Sequence, residues 1–494
     1  MAEPRRSAAA ALGSMPAEIA WLDRDLASQE QVRRLLDMSE EPRALDSLGL
    51  GAIRDALADE IAPGVSTAQS RLRYFVLIPW LFEQVAAASS RKPYTRRLRD
   101  GEVELIERLS RLGPRQGVIG LQSRSDLKVM PSTLYWTGLR TWEIARFDGS
   151  VRQAIERAGS ARVRRVETDA DGHRVEAGLD LWCELLPVPD GFLKRPEHLS
   201  LSIPEAEWLV DRLRAAAATR DSVLRHAADY ADRARTVGEA ERVRDWATPW
   251  DLPGDFPIGR LNNRNREALH HARCVSEVTE GPRILYNVML AECASQTSGG
   301  EDTSGEETSG EDSADEAQSK LECWNGRLGE WAERVSQPAT AKRLEQWHRS
   351  LNRSDPAEGF WACLRGLRGR EASPDLSRFV NDMATQVVKS PANFDNEAIR
   401  ACIRQRECSL KGNRARLGST YGPLKAWIAR GMPFTGGAFD YRWAQVVGYL
   451  GDLAAAGRGG WDSDASGPPG NELQGDGSAV PKADADRSRP RRRR

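Results

Sequence analysis

Residues 66–85 read STAQSRLRYFVLIPWLFEQV, and the run from Tyr74 to Phe82 inside them carries no charge and no polar group except the tyrosine hydroxyl. A helix on a protein surface is apolar along one stripe, so a segment apolar on every face belongs inside a core. The run is far shorter than the ~20 residues that span a bilayer, and Arg71, Arg73 and Glu83 crowd both of its ends, so it does not read as a membrane span. Ser66 with Gln69 three residues on matches a capping box, and Pro63-Gly64 closes whatever precedes it. Pro79 removes one backbone donor near the middle. The expectation is a bent central helix around which the N-terminal half packs.

With 494 residues the chain is long enough for several domains with real cores. Its 71 basic and 72 acidic residues nearly cancel, so only a local imbalance of charge can point to a polyanionic partner. The opening MAEPRRSAAAALGSM lacks a leucine- or valine-type apolar core, and the seven scattered cysteines contain no C-x-x-C pair. Both features favour a cytoplasmic protein with reduced thiols and no membrane association.

Pattern divides the chain into a loose start over residues 1–15, a helical part over 16–150, a mixed hairpin and helical part over 151–295, a disordered acidic insert over 296–320, a helical C-terminal part over 321–455 and a disordered tail over 456–494. The insert repeats Gly, Thr, Ser and acids with no aliphatic residue larger than alanine, which gives a core nothing to bury. Residues 102–147 hold two helical patterns separated by Gly113-Pro114 and would fit a winged helix-turn-helix, with 132–140 as the recognition helix. That helix offers mainly Thr133, Thr137 and Arg140 to a base edge, and its aromatics look like core anchors, so a plain helical reading is preferred. Residues 161–178 alternate apolar and charged residues about Asp171-Gly172, a hairpin signal. Residues 265–292 read as two helices broken at Gly281-Pro282. The fold class expected is mainly α, with two or three packed helical segments and a minor β-hairpin element.

The charge imbalance that stands out lies between residues 396 and 445. There Arg400, Arg404, Arg406, Lys411, Arg414, Arg416, Lys425, Arg430 and Arg442 face only Glu397, Glu407 and Asp440, nine cations against three acids. Arg400, Arg404 and Lys411 share a helical stripe, and Lys411-Gly412-Asn413-Arg414 can present cations and backbone donors to one anion. The plainer account is a basic helix end balanced by the acidic insert. The shorter run over residues 91–99, which contains Arg96 and Arg97, reads as a solvated connection between helices before it reads as a phosphate-contacting loop.

Metal chemistry has one weak foothold. Glu267, His270, His271 and Cys274 are spaced so that two or three could meet an ion from one helix, with a further ligand such as Cys293 needed from elsewhere. A satisfied polar helix face explains the same residues more simply. Asp180 and Glu184 flank Trp182 without the lysine a nuclease would need. Phosphate-binding glycine loops, dinucleotide fingerprints and the serine nucleophile elbow are missing, so no cofactor is expected. Fifteen tryptophans fall mostly at apolar helical positions and read as core anchors; one exposed beside Arg404 would instead favour single-stranded nucleic acid.

Four stretches, STAQSRLRYFVLIPWLF, PSTLYWTGLRTWEIARF, ARCVSEVTEGPRILYNVMLAE and LKGNRARLG with a later FDYRW, together resemble an uncharacterised bacterial family of unknown function. The resemblance spans roughly residues 17–453 without the acidic insert and brings no catalytic residues. It implies a setting among helicase-like and phospholipase-D-like phage-defence genes, and hence DNA, RNA or a defence-system protein as partner. Three functions follow as expectations: a non-enzymatic nucleic-acid-associated component acting through the basic region, a metal-dependent hydrolase or nuclease near His270, and a protein–protein scaffold.

Overall fold

The computed structural model describes residues 47–457 apart from 89, 112–116, 162–180, 195–196, 238–242, 244, 299–309, 352–357 and 435. The described residues form a mainly α protein of fifteen α-helices without a named strand; an isolated antiparallel bridge joins Ala145 to Trp182. The hairpin expected about Asp171-Gly172 lies outside the described residues. No helix among them is long and apolar enough to cross a membrane. All seven cysteines are free thiols.

The apolar run forms α2 (Tyr74–Ala87), preceded by α1 (Gly51–Ile61), and every residue from Tyr74 to Phe82 is buried. The helix continues through Pro79, which forfeits a single ladder bond in its second turn. It starts at Tyr74 rather than Ser66. The Ser66 amide does donate to Gln69 Oε1 at 2.9 Å, but Gln69 also donates to Gly64 O and accepts from the Tyr449 hydroxyl. Those ties keep residues 66–73 in an irregular path that is buried at Gln69 and from Arg71 to Arg73.

A buried irregular segment needs a partner for each backbone polar group. The Tyr135 hydroxyl accepts from the Ser70 and Arg71 amides at 2.9 and 3.0 Å and donates to Arg71 O at 2.8 Å. Asp452 accepts the Leu72 amide at 2.8 Å and the Arg71 guanidinium at 2.7 Å. Arg73 holds Glu205 at 2.9 Å. Glu205 itself completes a capping box with Ser202 at the start of a later helix.

Around α2 lie α3 (Tyr94–Leu109) and α4 (Pro131–Thr141), with α5 (Val151–Ala161) on the far side of α3. Residues 91–99 are therefore not simply a connection, because α3 begins inside them. Arg97 reaches back to Val85 O at 2.6 Å and Ala88 O at 2.9 Å and satisfies carbonyls at the end of α2. On α4, Ser132, Tyr135, Trp136 and Leu139 are buried and Arg140 is paired with Asp148, which leaves Thr137 exposed and Thr133 half-buried on the face a recognition helix would present. Glu102 of α3 accepts the Ser132 amide at 2.8 Å, so the two helices are joined through a buried carboxyl.

Next come α6 (Ile203–Ala215) and α7 (Val223–Val237), then the longest helix, α8 (Asn263–Ser298), packed along α9 (Gly310–Ser336). The expected break at Gly281-Pro282 does not occur, and Trp331 packs against that turn. Its indole lies on Gly281, where an added Cβ would come within 2.4 Å of the ring, and its Nε1 donates to Glu277 O at 2.8 Å. The carbonyl that loses its ladder donor to the proline is the next one along, that of Val278. Helix also runs into both ends of the stretch expected to be disordered over residues 296–320, to Ser298 and from Gly310.

The remaining helices are α10 (Pro338–Leu351), α11 (Phe360–Arg368), α12 (Pro374–Lys389), α13 (Glu397–Lys411), α14 (Tyr421–Ile428) and α15 (Trp443–Ala454). Helix α15 packs along α7 and delivers Asp452 to Arg71. Buried apolar side chains from Leu48 to Ala456 form one contiguous cluster. Trp142, Trp324, Trp331, Trp347, Trp427 and Trp443 are fully buried in it, as core anchors.

Candidate functional site

Of the nine cations between Arg400 and Arg442, four are drawn into the fold by their side chains: Arg400, Arg406, Lys411 and Arg442. Arg400 on α13 bonds Glu292 of α8 at 2.5 and 2.9 Å and Asp395 at 2.5 and 2.8 Å. The hydrogen bonds it donates to Asp395 and Glu292 raise its pKa further above the ordinary arginine value, so its charge is committed to them. Arg406 is buried, with Nε on Leu48 O at 3.0 Å and its guanidinium over the Phe379 ring. Arg442 reaches Asp59 at 2.6 Å, Asp55 at 3.4 Å and Val65 O at 2.9 Å, fixing the start of α15 to α1.

The Lys411 side chain and the backbone amides of Arg416 and Leu417 converge on Glu407, a fully buried carboxylate. Glu407 accepts the Tyr286 hydroxyl at 2.5 Å, Lys411 Nζ at 3.2 Å and the backbone amides of Arg416 and Leu417 at 3.2 and 2.9 Å. Burial beside this carboxylate pushes the Tyr286 hydroxyl well above the usual phenol range. Of the turn at residues 411–414, Lys411 is thus paired with an internal acid, and the backbone donors to that acid come from Arg416 and Leu417 just beyond it.

What remains outside has a single sign. Between residues 401 and 431 stand Arg404, Arg406, Lys411, Arg414, Arg416, Lys425 and Arg430 against one acid, Glu407, and that acid is buried. Every exposed charged side chain of this stretch, Arg404, Arg414, Lys425 and Arg430, is a cation. Tyr421 is 48 % exposed and Leu410 43 % exposed within the same stretch. Tyr421 and Lys425 stand four apart on α14 and share a face. The tryptophan in the stretch, Trp427, is buried, so the exposed aromatic is the tyrosine. In the other basic run Arg96 is exposed in the first turn of α3, while Arg97 is used to cap α2.

The metal candidates part company. His271 is buried and its Nδ1 accepts the Trp347 indole N–H at 3.1 Å. Burial and then neighbouring His270 lower its pKa to about 4, which keeps the ring neutral. Cys274 is buried with its thiol pushed well up by desolvation, 4.0 Å from His270 Nε2. Glu267 is exposed on the outer side of α8. No group of three or more His, Cys, Asp or Glu among the described residues is arranged to hold a metal ion. Asp180 lies outside the described residues.

Two further arginines, Arg146 and Arg212, line a cleft of about 530 Å³. They were not singled out from sequence, because the cleft draws on residues 137–148, 183 and 212–216, segments with no shared local motif. Only folding brings them together.

Residues 16–335 match the family of unknown function DUF6361. No curated protein and no solved structure matches the chain.

Proposed function

We propose, for a chain that belongs to the family of unknown function DUF6361, a non-enzymatic role in binding the phosphate backbone of a nucleic acid. The observation that carries this reading is the one-signed exposed charge of residues 401–431: Arg404, Arg414, Lys425 and Arg430 are exposed, as is Tyr421, while the only acid of the stretch is buried. A surface kept for solubility mixes both signs, whereas cations interleaved with an exposed ring suit a single strand, whose bases can stack while its phosphates are neutralised. The setting we assign is a bacterial antiviral-defence assembly with helicase-like partners, which rests on the sequence resemblance described above.

The test is binding of single-stranded DNA and RNA oligonucleotides to the full chain across a salt series. With four phosphates neutralised, the slope of log K against log salt is about −3, roughly a twentyfold loss between 50 and 150 mM salt. Changing Arg404, Arg414, Lys425 and Arg430 together to alanine removes most of that slope. An unaltered slope in the quadruple variant, or no binding by the wild type at the lowest salt, overturns the proposal.

A further inference from the structure

The cleft of about 530 Å³ lies where α4 ends, between that turn, the Ala145–Trp182 bridge and α6. Its geometry starts at Glu143, whose φ of 52° places a non-glycine residue in the left-handed region. That turn reverses the chain out of α4, and the Glu143 carboxylate accepts the Ala217 amide at 2.8 Å, securing the far wall. Beyond it the Arg146 amide donates to Leu181 O at 2.9 Å and the Cys183 amide to Ile144 O at 2.8 Å. Arg146 and Cys183 are thus held by backbone bonds that do not depend on their side chains.

The charges in the cleft are unevenly engaged. Arg140 is paired with Asp148, and Glu143 is held by a backbone amide. Arg146 and Arg212 have no carboxylate partner among the described residues, and Arg212 Nε is a buried atom with no hydrogen-bond partner. The Arg212 guanidinium stands 6.0 Å from the Trp208 ring centroid and neighbours the Cys183 thiol. Burial raises the pKa of that thiol in spite of Arg212 and Arg146, so it stays protonated and is no counter-ion for them. A buried guanidinium N–H without an acceptor is costly, and an oxyanion supplies what it lacks.

We infer that this cleft binds a compact phosphate, free or as a monoester, with Arg146 and Arg212 on the phosphoryl oxygens and Thr137 lining the same space. Its volume is in the range of small-ligand sites. Glu143 and Asp148 also line the cleft, but their carboxylates are engaged by the Ala217 amide and by Arg140. The cleft draws on none of residues 401–431, so the inference stands independently of them.

Calorimetric titration of the full chain with inorganic phosphate, a nucleoside 5′-monophosphate and the matching nucleoside tests it, alongside Arg146→Ala and Arg212→Gln. Arg146 has an exposed side chain, so Arg146→Ala keeps the fold even if Arg212→Gln does not. The expected result is binding of phosphate-bearing probes that weakens roughly ten- to hundredfold when either guanidinium is removed. Binding of inorganic phosphate alone would identify the free ion, and binding of the monophosphate alone the esterified form; either supports the inference. Absence of binding by both, equal binding of the nucleoside, or undiminished affinity in Arg146→Ala overturns it.

Discussion

Arg71 and Arg73, at the threshold of α2, and Arg404 and Arg414, on and just past α13, carry the same charge in opposite surroundings. The first two are 5 % and 6 % exposed and are clamped to Asp452 and Glu205. The second two are exposed and enter no ion pair among the described residues. Burying a charge is costly unless it is paired and hydrogen-bonded, so the buried pair sets which helices must meet: α15 and α6 have to arrive at residues 71–73 for those guanidiniums to be satisfied. The exposed pair leaves the fold indifferent to its presence. Cations that the fold does not use remain available to something outside it.

The strongest way to break this contrast is to strand one of the buried charges. Asp452→Ala leaves the Arg71 guanidinium and the Leu72 amide without their acceptor and is expected to cost about 3–5 kcal/mol, read as a fall in the urea midpoint. Replacing both partners with apolar residues of similar size recovers most of the loss. A deficit under about 1 kcal/mol in the single variant would show the pair to be dispensable.

A smaller effect separates buried groups by pH. Desolvation raises the Glu102 pKa to about 7 against the Ser132 hydrogen bonds that lower it, and desolvation lowers His271 to about 4. The signs oppose each other. Glu102 binds its proton more tightly folded than unfolded, so its contribution is present at low pH and is lost as pH rises from about 4.5 to about 7. His271 is held neutral, so its contribution is present above about 6.5 and is lost as pH falls towards about 4. Glu102→Gln keeps an acceptor for the Ser132 amide and removes only the first dependence. The variant should gain on the wild type by up to about 3 kcal/mol between pH 4.5 and 8. A constant difference across that range would show that Glu102 does not titrate there.

The smallest effect sharpens the comparison within one helix. Arg404→Ala with Arg414→Ala should change stability by no more than about 0.5 kcal/mol. Arg400→Ala, four residues earlier, should cost about 1–2 kcal/mol by releasing Glu292 and Asp395. Equal costs for the two would mean that Arg404 is also structural and would weaken the proposed binding face.

Much of the architecture was legible in residue patterns. The uncharged run at Tyr74 to Phe82 demanded burial, and amphipathic spacing announced the helices that surround it. Long-range pairing was not legible. Nothing near Arg71 signals Asp452, some 380 residues away, and nothing near Pro282 signals that Trp331 will pack against its turn. The basic region shows the same limit, since its excess of cations was visible in sequence but their division into structural and exposed members was not.

Periodicity, apolar runs and local charge balance are properties of neighbouring residues, and from them the sequence by itself determined a mainly helical protein, its central buried helix and the segment richest in unbalanced cations. Which cations are spent inside the fold, where α8 stays whole, and that residues 137–148, 183 and 212–216 enclose a cleft were decided only by tertiary structure. The physical reason is that each depends on partners distant in sequence, and a charge or a proline has its outcome set by the groups that reach it after packing.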